Sequence, residues 1–119
     1  MLLLGMKKAL FIDATAQTIT EIELGDDFRE ISKKIGCDLF TVATELPNMD
    51  ALYVDDEGLI NGTENFFYHK KLYTHPLAGN GIILGTDDEG DSVDVKTNAK
   101  EFDGIKFFTM EEVREAYGR

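Results

Sequence analysis

Two copies of Asp-Asp-Glu-Gly hold the densest acid chemistry in the chain. They stand in YVDDEGLI, as Asp55, Asp56, Glu57 and Gly58, and in GTDDEGDSVD, as Asp87, Asp88, Glu89 and Gly90 with Asp91 following. Three carboxylates beside a glycine can ligate a hard cation, present an acidic docking face, or close a turn. An EF-hand loop needs glycine at its sixth position and a bidentate glutamate at its twelfth, because the loop must wrap oxygens around one ion. Counted from Asp87 those positions hold Ser92 and Asn98, and counted from Asp55 they hold Ile60 and Phe66. No metal site is therefore expected. Both copies lie beside strand-like runs, where polar residues followed by a left-handed glycine make a turn. The acids can still act together. Residues 87–94 contain five acids and no base, and residues 55–57 would share their sheet edge if the two strands adjoin. Such a cluster imitates a phosphate track for a basic partner, although a charged edge that resists aggregation is a plainer use of it.

Residues 65–75, NFFYHKKLYTH, have the opposite character. No acid separates Glu64 from Asp87, and the stretch holds both histidines and two lysines among its aromatics. Basic residues interleaved with aromatics can stack on and neutralise a nucleotide-like anion, which makes Asn65, Tyr68, His69, Lys70, Lys71 and Tyr73 candidate ligand-binding residues. The competing reading sends Phe66, Phe67 and Leu72 into the core and leaves the lysines to water. His69 and His75 are too far apart in sequence to share a helix face as a metal pair.

Enzyme chemistry has little to stand on. LFIDATAQT resembles a phosphatase strand ending in Asp-x-Asp-x-Thr, but Asp13 is followed by Ala14 and Thr15, so the second acid is missing. The glycines of GNGIILG precede a strand, whereas a dinucleotide loop must follow one and open a helix. Cys37 with a histidine could make a thiol nucleophile, but nothing local marks it, and a small buried thiol is the commoner case. No catalytic residue and no cofactor are expected.

These groups sit in a chain of 119 residues, a length that suits one domain. Hydrophobic residues make up 43%, enough for a core despite a formal charge of −11. That charge repels nucleic-acid backbones and anionic membranes and favours a basic partner. The single cysteine rules out an internal disulfide, and the apolar run that opens the chain is too short for a membrane span or signal peptide, so a cytoplasmic setting is expected. Met6 would serve as a start, leaving residues 1–5 as a frayed extension of a single domain over 1–119.

The elements that must position the acids and aromatics follow from pattern. KKALFID (7–13) and TITEIEL (18–24) read as a hairpin. GDDFREISKKIG places Phe28, Ile31 and Ile35 at helical spacing, with Asp27 and Glu30 as a capping box and Gly36 as the stop. Strands are expected at 39–46 and 50–55, joined through Pro47 and Asn48, and in NGIILGT and SVDVKT around the second acidic turn. A short helix is expected within 65–75, ended by Pro76. In TMEEVREAYG, Thr109 and Glu112 form a capping box, with Met110, Val113 and Tyr117 on one face. The order β-β-α-β-β-(α)-β-β-α implies an α+β domain, with a mainly antiparallel sheet of about five or six strands and two or three helices on one face.

Taken together, KKALFIDATAQTITEIELGDDFREISKKIG, ALYVDDEGLINGTEN and HPLAGNGIILGTDDEGD resemble a family of small uncharacterised domains, catalogued as a domain of unknown function and common in phages, prophages and plasmids. The resemblance covers about residues 6–96 and aligns Asn65 with an asparagine of the family pattern. It departs at Phe66 to Tyr73, where related proteins carry proline and small residues. What it implies is a mobile-element setting without an assigned activity. The expected function is that of a non-enzymatic, acidic accessory protein that binds a host or defence protein with a basic surface. Its candidate contacts are Asp55, Asp56, Glu57, Asp87, Asp88, Glu89 and Asp91. The alternative is the nucleotide-like anion module of residues 65–75.

Overall fold

The computed structural model describes residues 6–117 apart from Asp26 and Asn61, so the extension expected at residues 1–5 lies outside the described residues. The chain runs β1 (Lys7–Asp13), β2 (Thr18–Leu24), α1 (Arg29–Ile35), β3 (Phe40–Glu45), β4 (Asp50–Asp55), β5 (Asn65–Tyr68), β6 (Leu77–Ala78), β7 (Gly81–Thr86), β8 (Ser92–Val93), a 3₁₀ turn (Ala99–Phe102), β9 (Lys106–Thr109) and α2 (Met110–Tyr117). This is the α+β class that the order of elements implied. The main sheet has the order β2-β1-β7-β4-β3, with β8 pairing β7, and every pairing in it is antiparallel. None of the described helices is long and apolar enough to cross a membrane.

Side chains alternate across the central strands and build two cores. Ala9, Phe11, Ile82 and Leu84 face α1, meeting Ile31 and Ile35. Leu10, Ile12, Leu52, Val54 and Ile83 face the other way, onto Phe67, Leu72 and Phe102. Because both faces are covered, β1 and β7 are apolar runs with no polar alternation.

The second cover is where the sequence reading needs correction. No helix forms at 65–75; its first residues are β5, the centre of a three-stranded sheet of order β6-β5-β9. Phe66 faces Phe108 and Phe67 faces Phe107 across the β5–β9 ladder, aromatic pairs that stabilise adjacent strands. Phe66 and Phe67 are both buried, on opposite faces, and two consecutive buried residues mimic a helical cluster in sequence. Gly81 explains the fit between layers. In the row Ile12–Gly81–Val54 it leaves a gap, and a Cβ there would lie 2.9 Å from the Phe67 ring. The helices accordingly do not share one face: α1 packs on β4 and β7, and α2 packs on β5 and β9.

Helix ends separate a formed capping box from an unformed one. At α2, Thr109 N–H donates to Glu112 Oε1 at 2.8 Å and Glu112 N–H donates to Thr109 Oγ1 at 3.2 Å. The side chain of Tyr117 lies outside what is described. At α1 the expected box is replaced: Asp27 is held by the guanidinium and N–H of Arg29, and Glu30 Oε1 accepts from Gly25 N–H at 3.0 Å. The Arg29 bond holds the Asp27 carboxyl below its ordinary range. Gly36 ends α1 in the left-handed conformation, as expected.

Candidate interaction site

The two acidic turns are not neighbours. Strands β4 and β7 do adjoin, but they run antiparallel, with Asp50 opposite Gly85 and Val54 opposite Gly81. Residues 55–57 leave the C-terminal end of β4, whereas residues 87–91 leave the C-terminal end of β7, at the opposite end of the sheet. Strands of this length separate the turns by about 17 Å, roughly twice the screening length at physiological salt. They therefore do not form one field, and the expected shared edge is corrected.

Their internal chemistry also differs. In the second turn Asp87 Oδ1 accepts from the N–H groups of Glu89 and Asp91, each at 2.9 Å, and Gly90 has φ +87°. This closes the β7–β8 hairpin. Carboxylate oxygens of Asp87, Glu89 and Asp91 lie within 4.8 Å of one another, but Asp87 is already engaged in holding the turn. In the first turn Asp55 Oδ1 accepts from Glu57 N–H at 2.8 Å, and the chain then crosses to the small sheet rather than folding back. Gly58 is not left-handed, contrary to expectation. It is buried, and a Cβ there would sit 3.0 Å from Ala78 Cβ and 3.3 Å from the Ala78 carbonyl oxygen. Close approach of the two layers leaves a side chain here little room.

Around the first turn lies apolar surface that the charge pattern did not reveal. Leu59 is 68% exposed, Ile60 82%, and Leu39, whose carbonyl accepts from Asp56 N–H, 60%. Leu59 and Ile60 line the mouth of a groove of about 670 Å³, whose walls include Phe66, Leu77, Ala78 and Val113, with Asp55, Asp56 and Glu57 along it. Among the described residues no lysine or arginine lines it. Near this end Cys37 is half-buried, and burial together with the Asp55 and Asp38 carboxylates pushes its thiol up to about 11. Such a thiol stays protonated at neutral pH, which does not suit a nucleophile.

The aromatic-basic candidates scatter. His69 is buried: Nδ1 accepts from Lys71 N–H at 3.0 Å, so the ring proton sits on Nε2, which donates to the Asp103 carbonyl at 3.2 Å. Both nitrogens serve the fold. Lys70 is exposed, and Lys71 borders a separate groove with Leu46, Pro47 and Glu101. Tyr68 is half-buried on β5, Tyr73 packs edge-on against His75, and Asn65 lies in a small polar pocket beside Thr15. Asp13, the phosphatase-like acid, caps the β1–β2 turn by accepting from the N–H groups of Thr15 and Ala16.

One polar group that the sequence reading passed over is Asp50. It is fully buried and accepts from the N–H groups of Lys96 and Thr97 and from the Thr97 hydroxyl, anchoring the chain that leads from β8 to the 3₁₀ turn.

The chain belongs to the family described as a domain of unknown function, DUF3846, whose profile matches residues 6–108. No curated protein and no solved structure matches it.

Proposed function

We propose that this DUF3846 member is a non-enzymatic binding protein that docks a basic partner protein on the end of the sheet formed by Asp55, Asp56, Glu57, Leu59 and Ile60. The observation that carries this reading is the exposed pair Leu59 and Ile60 at the mouth of an apolar groove, flanked by three acids. Apolar side chains at these exposures lose free energy to water, and a contiguous apolar patch rimmed by charge is the usual anatomy of a protein interface. The acids speed encounter with a partner bearing lysine and arginine, and the apolar groove supplies the affinity. The setting that the family resemblance suggests makes the partner a host or defence protein, and the chain an accessory protein of a phage or other mobile element. The nucleotide-like anion reading has no converging set of side chains to rest on.

The test is affinity capture from host lysate at low and high salt, followed by binding of the identified partner to Leu59→Ser/Ile60→Ser. Capture that weakens with salt and is lost in the double variant supports the reading. A partner held equally by the wild type and the double variant overturns it.

A further inference from the structure

Strand β2 forms one margin of the main sheet. It pairs with β1 over seven residues without a register shift. At the opposite margin β3 is broken by a bulge between Val42 and Thr44, and the margins of the small sheet, β6 and β9, are two and four residues long. Bulges and short strands keep other chains from adding to an edge, and β2 has neither. We propose that β2 is a second docking surface, which takes an extended, basic segment of a partner protein as an added strand. The inference goes beyond the docking reading above and does not depend on it, since it concerns a different margin of the molecule.

The direction of the backbone groups follows from Lys8. Its N–H donates to Asp94 Oδ1 at 2.9 Å and its carbonyl accepts from Val95 N–H at 2.9 Å, so both point away from β2. Successive residues of a strand direct these groups to opposite edges. Ala9 and Phe11 therefore point toward β2, where they stand opposite Ile22 and Thr20. On β2 the backbone groups of Ile19, Glu21 and Glu23 then face outward, and among the described residues none of them has a hydrogen-bond partner. Donors and acceptors at every second residue are what an added strand pairs with.

The side chains select the kind of strand. Glu21 and Glu23 are exposed and share a face with the residues opposite them on β1, Leu10 and Lys8. Lys8 offsets Glu23 in part, while Glu21 faces an apolar neighbour. A strand with lysine or arginine at alternate positions sets cations beside both glutamates, a pairing that stabilises adjacent strands. A second copy of β2 in antiparallel register would instead set Glu21 against Glu21, and the formal charge of −11 opposes self-association further. The charges that keep the edge from pairing with its own kind are those that draw a basic strand.

The experiment titrates the isotopically labelled full chain, at fixed ionic strength, with three end-blocked heptapeptides. One alternates lysine and valine, one alternates glutamate and valine, and the third is the lysine peptide N-methylated at every residue, which keeps the charge and removes the backbone donors. NMR follows amide shifts and hydrogen exchange at Ile19, Glu21 and Glu23. The expected result is saturable shifts and slowed exchange there with the lysine peptide, none with the glutamate peptide, and binding at least about tenfold weaker for the methylated one. Glu21→Gln/Glu23→Gln should weaken the lysine peptide roughly three- to tenfold. Glu21→Pro removes a donor that β1 does not use, and should abolish the shifts of the lysine peptide in a chain that still folds. If that variant does not fold, the methylated peptide decides the matter with the unaltered chain. Equal binding of the lysine and methylated peptides would mean charge attraction without strand pairing and overturns the proposal. So does the absence of saturable shifts, or shifts confined to residues 55–57 and 87–91. Concentration-dependent shifts at the same amides without peptide would put a second copy on the edge and overturn the basic partner. The docking reading stands or falls on Leu59 and Ile60, which none of these outcomes involves.

Discussion

In the turn at residues 87–91 every special feature is explained by the turn itself. Gly90 is left-handed, Asp87 holds two backbone N–H groups, and β7 enters the turn while the two-residue β8 leaves it to pair back on β7. In the turn at residues 55–58 the same four residue types are used differently. Gly58 packs closely against Ala78, the chain continues into another sheet, and the residues that follow are Leu59 and Ile60, both turned to water. A tetrapeptide repeated in sequence therefore has two physical roles, set by what the flanking chain packs against. Acid content alone does not distinguish them; exposed apolar neighbours do.

The sharpest way to break this contrast is by binding. Leu59→Ser/Ile60→Ser removes apolar area at the centre of the proposed interface and should weaken the captured partner at least about thirtyfold, as hot-spot truncations do. The melting temperature should hold, because both side chains are exposed in the free chain. Neutralising Asp87, Asp88, Glu89 and Asp91 to Asn or Gln should change affinity less than about threefold, since charges this far from the interface are screened. Surface plasmon resonance with the partner immobilised measures both. The reverse ranking would move the interface to the second turn.

A smaller effect separates the two glycines. Gly90→Ala and Gly58→Ala should each cost about 1–2 kcal/mol, the first through left-handed strain and the second through overlap with Ala78. That is roughly 4 °C in melting temperature for each kcal/mol at this size. Asparagine then tells them apart. Gly90→Asn should be milder than Gly90→Ala, because Asn tolerates the left-handed region, whereas Gly58→Asn should be worse than Gly58→Ala because it is larger. The same order at both sites would mean that the glycines do the same job.

Much of this architecture was legible in the sequence where one local signal sufficed. The 7–13 and 18–24 strands, the Thr109–Glu112 capping box and the Gly36 stop were all readable, since each depends on residues a few positions apart. The small sheet was not. Its strands are two to four residues long, and Phe66 and Phe67 are both buried, which erases the alternation that marks a strand. Residues 99–109, with the 3₁₀ turn and β9, carried no periodic signal that assigned them. For the site, the acids at residues 55–57 were legible, but their separation from residues 87–91 depends on the antiparallel register of β4 and β7. Leu59 and Ile60 had a faint signature, an apolar pair between a DDEG turn and an Asn-Gly step, too short to be a strand. Asp50 had none, because the N–H groups it holds are on residues 96 and 97.

The smallest expected effect is with calcium. Asp87, Glu89 and Asp91 stand close enough to share an ion, yet Asp87 Oδ1 is occupied by two N–H groups and neither turn has the spacing of a calcium loop. Millimolar calcium or a chelator should move the melting temperature by less than about 1 °C. A rise of several degrees, equivalent to about 1 kcal/mol or more, would make the second turn a cation site rather than a plain hairpin.

The contrast between the two turns is tested most directly by hydrogen exchange on the chain alone and bound to its captured partner. Slowed exchange at residues 56–60 and in β6, with residues 87–93 unchanged, is the predicted result. Slowed exchange at residues 87–93, with residues 56–60 unaffected, would contradict it and place the partner on the hairpin that the structure reads as a turn.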